Sequence, residues 1–78
     1  MKKTLYDLDM GDTARIVGIH GDTPLSLRRR LLDMGITKGA LLRVERHAPL
    51  GDPVEISLKG YSLALRMNEA RHIEIEEL

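Results

Sequence analysis

The chain has 78 residues, twelve Lys or Arg against twelve Asp or Glu, no cysteine, and only two tyrosines among Phe, Trp and Tyr. So short a chain makes a single domain over residues 1–78, burying only about 60% of its unfolded surface, with little room for a deep enzymatic cleft. Balanced charge and scarce aromatics argue against a nucleic-acid surface. The missing cysteines remove disulfides and thiolate ligation, and no apolar run reaches the roughly 20 residues that cross a bilayer.

The Met1-Lys2-Lys3 start is not followed by the apolar block of a signal peptide, so a cytoplasmic location is expected. Residues 4–8 offer a short apolar anchor, a strand end or single turn, before Met10-Gly11-Asp12 breaks the chain. The first full strand is predicted over residues 13–19, with Ala14 and Ile16 on one face and Val17 and Ile19 on the other. Gly18 marks a bulge or bend in it. Thr23-Pro24 then reads as a helix start, the threonine capping free amides and the proline occupying the first helical position. Leu27, Leu31 and Met34 recur at helical spacing, Leu25 and Leu32 widen the stripe, and Gly35 closes the helix in a left-handed conformation. Arg28, Arg29 and Arg30 fall on the side away from Leu27 and Leu31.

A second strand is expected over residues 41–46. The segment His47-Ala48-Pro49-Leu50-Gly51-Asp52-Pro53 is an exposed connection, because two prolines lack ladder donors and Gly51-Asp52 is turn chemistry. Beyond it Val54, Ile56 and Leu58 alternate with polar residues, as do Tyr61, Leu63, Leu65 and Met67 after Lys59-Gly60. A two-residue loop at Lys59-Gly60 sets Leu58 opposite Tyr61, Ile56 opposite Leu63 and Val54 opposite Leu65, so the apolar residues share one face. A three-residue loop would mix the faces. A capped turn over residues 68–71 and a last strand over 72–76, with Ile73 and Ile75 on one face, complete the inventory. The fold expected is mostly β with one helix: a small, partly open SH3-like barrel of about five strands, with the helix between strands one and two.

Candidate chemistry is sparse. His20, His47 and His72 are potential ligands for Fe(II) or Zn(II), but they lack HxH or HxxxH spacing and read as ordinary surface or edge residues; Asp52 is the one carboxylate close to the His47 loop. The arginine triplet could engage acidic loops, phosphate or anionic lipid, or form a solvated helix face paired with Asp33. Leu50, at the apex of a loop stiffened by proline, either projects as a docking point or folds back over the open end of the barrel. There is no GxSxG, phosphate-cradling GxxxxGK[ST] or cysteine nucleophile, so catalysis is not expected.

The segments RRRLLDMGITKGALLRV (28–44), APLGDPVEI (48–56) and YSLALRMNEARHIEI (61–75), with LYDLDMGDTARIVGI (5–19), together resemble the ferrous iron transport protein A (FeoA) family over nearly the whole chain. The resemblance implies an SH3-like barrel and a small cytoplasmic accessory protein of ferrous iron uptake. Its implied partner is the FeoB-type permease with its cytoplasmic GTP-binding domain. The projecting loop and the basic helix face supply the candidate partner-binding residues, Leu50, Asp52, Arg28, Arg29 and Arg30. No cofactor is implied. The alternative is direct transition-metal binding as an Fe(II) carrier or sensor. The helix-turn-helix and dimerisation segments of the iron-dependent repressors that share such a domain are absent from this sequence.

Overall fold

The computed structural model describes residues 3–78, so the Met1-Lys2 start lies outside the described residues. The chain runs through β1 (Lys3–Thr4), a 3-10 turn (Leu5–Asp7), β2 (Thr13–Ile19), α1 (Leu25–Asp33), β3 (Leu41–His47), β4 (Val54–Leu58), β5 (Tyr61–Leu65), α2 (Met67–Ala70) and β6 (Ile73–Glu77). The strands form one antiparallel sheet in the order β1-β6-β2-β3-β4-β5, which curls without closing. This is the expected partly open barrel with one principal helix. It has one strand more than anticipated, because residues 3–4 pair with β6 and the next three form the turn. Lys3 Nζ donates to Glu77 Oε1 at 2.7 Å across that edge, which raises the ammonium pKa above its ordinary value.

The hairpin takes the register that its parity requires: Leu58 pairs with Tyr61, Ile56 with Leu63 and Val54 with Leu65. Lys59 (φ 52) and Gly60 (φ 86) are both left-handed, the pattern of a type I′ turn, whose twist matches that of the flanking strands. Met67, which the alternation would add to the strand, instead opens α2.

Leu5, Ile16, Leu31, Ile36, Val44, Val54, Ile56, Leu65 and Ile73 are fully buried together. Burying such side chains stabilises a fold by about 1.5–3 kcal/mol each, the main support for a chain without disulfides. Three local expectations are corrected. In β2 the ladder shifts between Ile16 and Gly18, so Val17 is an extra residue. Ile19 then pairs with Ile73 and packs against the core, the side it shares with Ile16. The Thr23 hydroxyl does not cap α1. It lies 3.0 Å from His72 Nδ1, while Pro24 is the residue preceding the helix and accepts from the Arg28 N–H at 2.9 Å. Leu25 and Leu32 are exposed, so the buried stripe narrows to Leu27, Leu31 and Met34.

The end of α1 is a Schellman arrangement: the Ile36 N–H donates to Leu31 O and the Gly35 N–H to Leu32 O, both at 3.0 Å, with Gly35 at φ 94. Tyr61 Oη donates to Met34 O at 2.6 Å directly over that glycine, where a Cβ would collide with the phenol oxygen. The helix end is thereby fastened to β5.

Candidate docking groove

In β3 the period of two sets Leu41 and Arg43 on the side opposite Leu42 and Val44. The structure buries the second pair and exposes the first, with Leu41 at 55%. Thr13 pairs with Arg43 and Leu42 with Leu58, so the start of β3 sits between the start of β2 and the β4–β5 turn. The Leu78 N–H donates to Thr13 O at 3.0 Å and holds a second exposed leucine beside the first. The result is an open groove of about 460 Å³ lined by Thr13, Leu41, Leu42, Arg43, Ser57, Leu58, Lys59, Gly60 and Leu78.

Leu41 and Leu78 are its exposed apolar lining residues, the core leucines Leu42 and Leu58 border it, and its two charged lining side chains, Arg43 and Lys59, are both cationic. Lys59 Nζ donates to Thr37 Oγ1 at 3.1 Å, and Arg43 has no ion pair among the described residues. An apolar trough of this size, rimmed by cations without a side-chain carboxylate, fits one or two aliphatic side chains from a segment that also carries acid groups. It offers no acid–base pair or nucleophile.

The sequence-predicted residues lie elsewhere. Leu50 projects, 96% exposed, from a loop closed by Ala48 N–H to Pro53 O (2.9 Å) and Gly51 N–H to Ala48 O (2.6 Å); it does not fold over the barrel end. Asp52, followed by a cis Asp52–Pro53 bond, accepts the Met67 N–H at 3.0 Å and so caps α2. The arginines diverge. Arg28 donates to His20 O (2.9 Å), Arg30 pairs with the 8% exposed side chain of Glu69 (2.6 Å), and Arg29 is exposed; the local partner expected in Asp33 is replaced by Glu69 from α2.

His20 and His72 come together, the His20 N–H donating to His72 O at 2.8 Å, while His47 ends β3 opposite Val54. The His20 ring accepts the Asp22 N–H at 3.1 Å and the His72 ring faces Thr23, so each carries a local structural contact. No group of three or more His, Asp or Glu side chains is placed to hold a metal among the described residues. Nor is any helix among them long and apolar enough to cross a membrane. The groove residues were missed by sequence reasoning, although one signal existed: Leu41 is out of phase with Leu42 and Val44. The contribution of Leu78 depends on a contact 65 residues away in sequence and carried no local sign.

A family model described as the FeoA domain matches residues 3–77. The Fe(2+) transport protein A/Fe(2+) transporter FeoB fusion protein of Porphyromonas gingivalis is 39% identical over 72 residues. That match takes in 92% of this chain, which spans only 8% of the fusion protein's length. The FeoA-like protein of Clostridium acetobutylicum superposes with a TM-score of 0.90 at 36% identity, covering 99% of this chain and 87% of that one. FeoA of Stenotrophomonas maltophilia, complexed with zinc and named a procaryotic SH3 domain protein, gives 0.82 at 25% identity over 95% of this chain and 89% of that one. A match across the whole sheet, both helices and the connecting loops makes this chain a member of the FeoA family.

Proposed function

We propose that the chain is a small cytoplasmic accessory module of ferrous iron uptake that docks on a FeoB-type GTP-binding permease and modulates it. The fusion protein carries this reading, since its name places a relative of this domain and a transporter in one polypeptide. Docking of such a domain on the transporter calls for a complementary surface, whether or not a tether raises its effective concentration. The groove beside Arg43 and Lys59 is suited to that role.

The test is anaerobic capture of detergent-solubilised permease by the tagged chain, with and without Fe(II) and GTP, repeated with Arg43→Glu. The expected result is specific retention of the permease, weakened at least tenfold by the charge reversal while the circular dichroism spectrum is unchanged. Failure of the folded wild-type chain to retain permease under any condition would sink the docking reading. Full retention by Arg43→Glu would remove the groove from it.

A second reading, direct handling of Fe(II) as carrier or sensor, draws on the zinc with which the S. maltophilia protein is complexed. Anaerobic Fe(II) calorimetry of the wild type, His47→Ala and His72→Ala separates it from docking. Identical negligible heats would dispose of it.

A further inference from the structure

β5 is an outer strand of the sheet and, among the described residues, pairs only with β4. In a two-residue hairpin the residues flanking the turn exchange both backbone hydrogen bonds, and the pattern then alternates. Tyr61, Leu63 and Leu65 therefore bond to β4, while Ser62 and Ala64 direct their N–H and C=O groups away from it. No hydrogen bond among the described residues takes these four groups, and both residues are exposed. Sheets usually protect such an edge with a charge, a proline or a bulge. Tyr61-Ser62-Leu63-Ala64-Leu65 has none of these, and its pairing with β4 is regular. The opposite edge, β1, is two residues long among the described residues and carries the Lys3–Glu77 ion pair.

We infer that β5 is a self-association edge whose occupant is β5 of a second copy, antiparallel about a twofold axis at Leu63. In that register Ser62 faces Ala64 of the second copy and each pair exchanges two hydrogen bonds, so all four outward groups on each chain are satisfied. Sliding by two residues leaves one such pair within the strands. The side chains are also self-complementary: Leu63 meets Leu63, Tyr61 meets Leu65, and small neutral Ser62 meets Ala64, with no like charges opposed. The half-buried Leu63 and the 43% exposed Tyr61 gain cover on the core side. This self-matching register selects a second copy over an unrelated strand.

Sedimentation equilibrium of the full chain from micromolar to millimolar concentration, with amide exchange at both extremes, tests the inference. The expected result is a reversible dimer, with exchange at Ser62 and Ala64 slowed at least tenfold at the high end. Ala64→Pro removes an amide that makes no intrachain bond and Ala64→Lys adds a charge to the edge; each is expected to give a folded monomer. A wild type that stays monomeric throughout, or a dimer that survives in both variants, would overturn the proposal. Permease capture by the monomeric variants separates this edge from the docking groove.

Discussion

Lys59 holds a left-handed backbone, φ 52, that costs a side chain with a Cβ about 1–2 kcal/mol and glycine or asparagine much less. An asparagine would complete the Asn-Gly pair favoured by this turn, yet the sequence places a cation there, at the rim of the groove and bonded to Thr37. Strain retained at one residue is explained if that residue has a task. Lys59→Asn is therefore expected to raise urea-unfolding stability by about 0.5–1 kcal/mol while weakening permease capture. A variant that gains stability and binds as tightly as wild type would leave the turn strained for no reason that the groove supplies.

At the scale of elements, the loop at 48–53 and α2 form one unit, because Asp52 Oδ1 takes the Met67 N–H and Glu69 Oε1 takes the Arg66 N–H at 2.9 Å. Glu69 is also the acidic partner of Arg30, so α2 ties the loop to α1. Removing a carboxylate cap costs about 0.5–2 kcal/mol. Asp52→Ala is expected to lose about 1 kcal/mol and to speed exchange of the Met67 amide; unchanged exchange would show that the amide is protected without Asp52. The sequence revealed the elements governed by local rules. Parity set the hairpin, Gly35 the end of α1, and the prolines the loop. It misplaced Ile19 because one bulge inverts the parity of all that follows, and it gave Thr23 to the helix because His72, 49 residues away, competes for the same hydroxyl. Leu25 and Leu32 followed the helical pattern, but a nine-residue helix on a narrow sheet buries only its central stripe.

For the whole molecule, Leu41 opens β3, a strand of seven residues that spans roughly 20 Å, and Leu50 stands in the loop beyond its other end. Both are large, exposed and apolar, and both lie outside the core, so exchanging either for an acid is expected to change stability by no more than about 0.5 kcal/mol. Their effects on binding discriminate between modes of docking. A partner that occupies the groove alone is weakened by Leu41→Asp and indifferent to Leu50→Glu. One that grips the length of β3 is weakened by both. The two backbone hydrogen bonds that close the 48–53 loop with Leu50 projecting favour the second mode. Each single variant is then expected to lower permease affinity about tenfold. The double variant should lower it about a hundredfold, because sites this far apart contribute independently. Unchanged affinity in Leu50→Glu would confine docking to the groove; a double variant no weaker than Leu41→Asp would mean that the partner reaches the loop only after the groove has engaged.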